Sequence, residues 1–351
     1  MEFRWVGALP LLARLDLRDP QTLARVWILL EARTDRDEPV DPHMCSVYAS
    51  AVAAAIGVAD KTMLDDEPPA ELTQMISAVL ALNRPLGQSV RNVVAANLSW
   101  LIIRAQTWTE GHRESLVGDD GTDDLGAYTF EAYLQRGRPS RELLRRCEDR
   151  IWAAISTTPA AAHAHVLHGM LWGVDGYDPA TVMDKLAASG VERPVSDAAQ
   201  WLWTAATRDP TLDIEPIVKF WEEAITRALS PENYEGFGNF ATIDSIDDET
   251  WLDLTLKAAI LCNTGVALPN RVAKRASHWP DDPRALRLVP ALLRSKVALW
   301  YVYDIGRVGE TCSATPVHRT RPPNPKSRSD SSSASSSRPA RPRKLPDTRR
   351  W

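Results

Sequence analysis

Residues 215–229 read EPIVKFWEEAITRAL, and this stretch decides the fold class. Its apolar positions are Ile217, Phe220, Trp221, Ala224, Ile225, Ala228 and Leu229. They recur every three or four residues, and at about 100° per residue they fall on one face of an α-helix. The same spacing governs Leu143, Leu144, Cys147, Ile151, Trp152 and Ile155. Period-two alternation, the mark of a half-buried strand, is confined to the short run Trp251-Leu-Asp-Leu-Thr-Leu. Carried outward, the pattern predicts about a dozen helices between Gln21 and Gly306 and an all-α chain.

The helix starts are written in a second code. Asp19-Pro20, Asp41-Pro42, Thr158-Pro159, Asp178-Pro179, Ser230-Pro231 and Asp282-Pro283 each pair a small polar residue with proline. The polar side chain accepts from free first-turn amides, and proline at the first helical position loses no hydrogen bond there. Ser245-x-x-Asp248, just ahead of Trp251, has the form of a capping box.

Trp152, Trp201, Trp251 and Trp300 stand at intervals of 49, 50 and 49 residues, and Trp172 and Trp221 are also 49 apart. A unit of that length holds two helices plus loops, near the upper end for HEAT-type pairs. The expected architecture is therefore an α-solenoid of stacked helical hairpins with tryptophans wedged between them. Two stretches break the rhythm: an acidic, glycine-punctuated loop at 118–126 and a glycine–aromatic loop from Tyr234 to Ile243. The expected organisation is an N-terminal helical block (1–117), the acidic linker (118–126), a repeat block (127–312) and a tail (313–351). That tail holds nine Ser, seven Pro and ten Lys or Arg against two acids. Such a composition cannot bury enough surface to offset its chain entropy, so disorder is expected. It also reads like the out-of-frame end of a GC-rich gene.

Candidate chemistry is sparse. His163, His165 and His168 form the one histidine cluster. His165 and His168 have the helical spacing of a metal pair, whereas His163 lies about 200° from His165. A metal-dependent enzyme built on His165 and His168 is one reading; helix-lining histidines are the other, and no metal or cofactor is assigned. In the acidic loop, Leu125 occupies the position that a calcium loop reserves for glycine, which favours a solvated linker. Gly236-Phe-Gly238 lacks the third glycine of a dinucleotide fingerprint, and no phosphate loop, nucleophile elbow or H-E-x-x-H is present. The four cysteines are scattered without a C-x-x-C pair, which argues against a disulfide scaffold. The start of the chain lacks the cationic entry of a secretory signal, and its longest uncharged run, 44–59, is too short and too polar to span a membrane. A cytoplasmic protein is expected.

Residues 201–306 resemble helical-repeat regions in the C-terminal parts of large bacterial STAND/NACHT-type proteins. The likeness rests on Trp201-Leu-Trp-Thr-Ala-Ala-Thr-Arg-Asp-Pro, Phe220-Trp-Glu-Glu-Ala-Ile, Phe237-Gly-Asn-Phe and Asp248-Glu-Thr-Trp-Leu. It implies the scaffold or sensor portion of a larger protein rather than its ATPase, and it transfers no catalytic residue.

Three functions follow as expectations. The first is a non-enzymatic scaffold binding a protein partner, with Trp201 and Trp203 as candidate hot spots, since tryptophan is enriched there. The second is nucleic-acid binding through the basic tail, with Arg341, Arg343 and Lys344 as contacts. The third is the metal-dependent enzyme. The net charge of −5 hides an asymmetry that bears on the second: residues 1–256 carry 22 Lys or Arg against 40 Asp or Glu, and residues 257–351 carry 19 against 6.

Overall fold

A computed structural model of the chain describes residues 70–81, 86–118 and 124–295, with scattered positions between 49 and 68. The tail with Arg341, Arg343 and Lys344, Trp300, and the starts at Asp19-Pro20 and Asp41-Pro42 lie outside the described residues, as does most of the acidic loop. Among the described residues every regular element is helical and there is no strand. The first group comprises α1 (Ala70–Leu80), α2 (Leu86–Ala96), α3 (Leu98–Arg104), α4 (Gln106–Gly111) and α5 (Arg113–Val117). After the acidic loop come α6 (Asp124–Arg136), α7 (Arg141–Arg146), α8 (Glu148–Thr157), α9 (Pro159–Leu171) and α10 (Pro179–Ala187). The last group is α11 (Pro194–Arg208), α12 (Glu215–Thr226), a 3-10 helix η1 (Pro231–Thr242), α13 (Asp248–Leu261), α14 (Pro269–Ala276) and α15 (Pro283–Leu293). Among the described residues no helix is long and apolar enough to cross a membrane.

The proline starts hold, but the caps divide by chemistry. Asp178 accepts from the amides of Ala180 at 3.1 Å and Thr181 at 3.0 Å, and Asp282 accepts from Arg284 N at 2.8 Å. A carboxylate is a strong enough acceptor to hold the first turn. The hydroxyls do otherwise: Thr158 donates backward to the Ala154 carbonyl, and Ser230 accepts from the Asn233 side chain. The capping box expected at Ser245 is displaced. Asp247 caps α13, accepting from Thr250 N at 3.0 Å, and Asp248 pairs with Arg275 instead.

The glycine–aromatic stretch is not a surface loop. It forms η1, and Tyr234, Phe237 and Phe240 are all buried. Phe237 stacks on Trp221 of α12 at 5.6 Å, and Phe240 meets the same indole edge-on at 5.2 Å. Such pairs add about 1 kcal/mol each beyond their buried area. Gly236 and Gly238 permit the wedge to seat. A Cβ on Gly236 would fall on the Ser196 carbonyl of α11, and one on Gly238 on the Ala267 carbonyl. Asn233 in return accepts from the Val195 amide at 3.1 Å, so the first turn of α11 is capped by a residue 38 positions downstream.

Elements two apart run side by side in the same direction. For α11 and η1 the register is set by the Val195–Asn233 bond at one end and Trp203–Thr242 at the other. For α13 and α15 it is set by Glu249–Arg284 and by Arg294 donating to the Ala259 carbonyl. These bonds join residues 35 to 39 positions apart, shorter than the tryptophan interval. The tryptophans are correspondingly unlike one another. Trp251 and Trp221 are fully enclosed, Trp152 is buried against Tyr177, and Trp172 and Trp201 are half-buried. Among the described residues the spaced tryptophans therefore differ in exposure and in partners. On the N-terminal side, α6 packs on α2 and α5, so the elements flanking the acidic loop are in direct contact.

Gly236→Ala is expected to lower stability by about 3 kcal/mol through overpacking. Gly111→Ala, where a Cβ meets nothing within 4 Å, is expected to be neutral or slightly stabilising. Urea midpoints of the two variants check this, and equal midpoints would refute the seating of η1.

Candidate functional site

Helix α9 carries the three histidines, and they do not form a ligand set. His165 is 1% exposed, and its Nε2–H donates to the Leu134 carbonyl at 3.1 Å while its ring lies 4.7 Å from that of Tyr133. His168, half-buried, donates from Nδ1 to Ala164 O at 2.6 Å and packs against Trp172 and Trp201. His163 is buried near Asp197. Burial pushes all three imidazoles below their ordinary range, His165 down to about 4, because a charged ring would lose its hydration. Among the described residues no group of three or more His, Cys, Asp or Glu could hold a metal ion. His165 and His168, the expected pair, thus point to separate partners. Cys147 and Cys262 are buried, the latter with its thiol 3.1 Å from the Gly265 carbonyl.

The two candidate tryptophans behave differently. Trp201 leans on His168. Trp203 donates from its indole Nε1 to Thr242 Oγ1 at 2.7 Å, and Thr242 is part of the wall of a cleft of about 540 Å³. The other wall is α14. Its polar face carries Arg271, Lys274 and Arg275, with His278 in the turn that follows. These positions are three or four apart, so they stack along one side of the helix. Asp244, in the connection after η1, and Asp248, the first residue of α13, face them.

Arg275 is the structural member of this row. Its side chain is only 9% exposed, and its guanidinium donates to Ile243 O at 2.9 Å, Ile246 O at 2.6 Å and Asp248 Oδ1 at 2.9 Å. It also lies 4.7 Å over the Trp251 ring. A planar fork of five donors is suited to gathering several carbonyls at once. Arg271 and Lys274 are exposed and have no ion-pair partner among the described residues. A second cleft, of about 460 Å³ beside α10 and α12, has the opposite character, with Asp175, Asp178, Asp213 and Glu215. Its one cation, Lys219, is paired with Glu215 at 2.6 Å. The α14 row was available to sequence reasoning as a charge pattern of period three and four. The asymmetry of net charge pointed to the right third of the chain but not to this helix.

No protein-family model matches the chain, and neither a curated protein nor a solved structure matches it.

The buried histidines make stability depend on pH. Their protons bind the unfolded chain more tightly than the folded one, so stability is complete above the ordinary imidazole range and falls as pH drops from about 6.5 toward about 4. His165 accounts for about 3 kcal/mol over that window. Urea unfolding followed by tryptophan fluorescence is expected to show the midpoint falling through this range. His165→Gln should flatten the slope by close to one proton; an unchanged slope would refute the assignment.

Proposed function

We propose that this chain is a non-enzymatic α-helical scaffold or sensor module that binds a protein partner. The carrying observation is Trp203, half-buried and tied by its 2.7 Å hydrogen bond to the rim of a cleft whose far wall is the cationic face of α14. An amphipathic ring at the edge of an open, charged cleft is the arrangement in which a tryptophan acts as a binding anchor. The same-direction neighbours α11/η1 and α13/α15 support an architecture of stacked helical hairpins, which presents extended surfaces of this kind. In this reading the protein works in the cytoplasm, and the resemblance to STAND/NACHT-type repeats makes it the ligand-reading part of a larger assembly. The N-terminal and repeat blocks then meet across residues 118–126.

A second reading, nucleic-acid binding through 257–351, draws on the excess of 19 basic over 6 acidic residues in that segment. Phosphate contacts weaken steeply with salt. A gel shift with and without residues 313–351 tests it, and binding that is absent or insensitive to salt sinks it.

For the scaffold, the expected outcome is that immobilised full-length chain captures a defined protein at low salt. Trp203→Ala should weaken that capture at least about tenfold while far-UV circular dichroism is retained. A chain that captures nothing at any salt overturns the reading.

A further inference from the structure

The geometry points to a phosphoryl-binding site in the cleft between η1 and α14, with Arg271 and Lys274 as its charged donors. This extends the scaffold reading by naming the chemistry the cleft recognises, and it depends on that reading only for where the phosphoryl group comes from.

Arg275 has no donor capacity to spare for a ligand. Its guanidinium is occupied by the carbonyls of Ile243 and Ile246, and its charge is balanced by Asp248 at 2.9 Å. Thr242 is likewise engaged, accepting from Trp203 and donating to Asn239 O at 3.2 Å. What remains lining the cleft is Arg271, Lys274 and His278 on one wall and Asp244 on the other. Arg271 and Lys274 sit three residues apart, so their charges share one helical turn and repel each other. They are held on that face because the opposite side of α14 is spent on the core, through Val272, Ala273 and Ala276.

The ligand that best relieves two adjacent cations is a compact dianion. A guanidinium offers a phosphoryl group two parallel N–H bonds, and a neighbouring ammonium adds a point charge. A single carboxylate balances only one of the two cations; Asp244 across the cleft opposes any anion, the dianion more strongly, and so moderates the affinity. A volume of about 540 Å³ lies within the usual range of ligand pockets, about 300–1,000 Å³, and is far larger than an isolated ion needs. The phosphoryl group therefore arrives on something, either a phosphorylated side chain of a protein partner or a soluble organic phosphate.

Titration calorimetry on the full chain tests this with two probes, a phosphoserine peptide and inorganic pyrophosphate. Saturable one-to-one binding that weakens with salt is expected for at least one of them. The double variant R271A/K274A, with both side chains exposed, should lose at least about tenfold in affinity and keep its thermal midpoint. Asp244→Asn should bind several-fold more tightly. Tighter binding of the peptide assigns the phosphoryl group to a partner protein, and tighter binding of pyrophosphate assigns it to a soluble compound; either supports the site. Equal affinity of wild type and R271A/K274A would move the binding to other cations of the chain, such as those of the tail, and overturn the proposal. Absence of saturable binding, or indifference to Asp244→Asn, overturns it as well. The capture experiment above fails independently: a chain that binds pyrophosphate but no protein keeps the cleft and loses the scaffold.

Discussion

The C-terminal half of the described chain depends on one close approach, that of η1 to the backbone of α11. The 12 residues of η1 touch α11, α13 and α14, so three helices take their positions from it. A 3-10 helix is narrower than an α-helix and leaves carbonyls free at its end. Arg275 adds a donor to the carbonyls of Phe240, Ile243 and Ile246, which fixes α14 against the end of η1. The cleft exists because of that bond: a cation that cannot leave its helix spans the gap, and the rest of the basic row is carried into place beside it. Asp248 is largely exposed, so the ion pair itself contributes little net stability. Arg275 is better regarded as a fixer of geometry than as a source of it.

The helical class was legible because apolar periodicity is a local property. Residues 215–229 could be assigned without knowing what they pack against, and α12 spans Glu215–Thr226. Caps were legible only where the acceptor is a carboxylate. Asp178 and Asp282 hold their own first turns, but α11 borrows its cap from Asn233, and no inspection of residues near 194 could supply it. The segment 234–243 was misjudged for a related reason. Glycines there look like loop residues in isolation, and only the Ser196 and Ala267 carbonyls explain them. The tryptophan interval did not foretell the unequal burial of Trp152, Trp201 and Trp251, since periodicity in a sequence does not fix which residues share an environment. The candidate site divides the same way. The row 271, 274, 275 and 278 is a local pattern, while Thr242, Asp244 and Asp248 join it only through the packing of η1 on α14.

The histidines show how a suggestive cluster dissolves. Three imidazoles within six positions invite a metal, yet each is consumed locally, by a carbonyl, an aromatic ring or an apolar enclosure. Their neutrality follows from burial. The cationic face of α14 is the converse case, an ordinary-looking run of basic residues in which Arg275 is engaged and Arg271 and Lys274 stay exposed.

Most packings in the described chain join elements that are neighbours, or next neighbours, along the sequence; that of α6 on α2, four elements apart, is the main departure. Contacts between near neighbours close short loops, so little entropy is lost before each of them forms. Each hairpin can begin to find its partner as soon as the following one has left the ribosome. The cap of α11 is one of the longer closures: its first turn is completed only when Asn233, 38 residues later, has been made. During synthesis the first turn of α11 therefore waits on η1, the element on which the cleft depends.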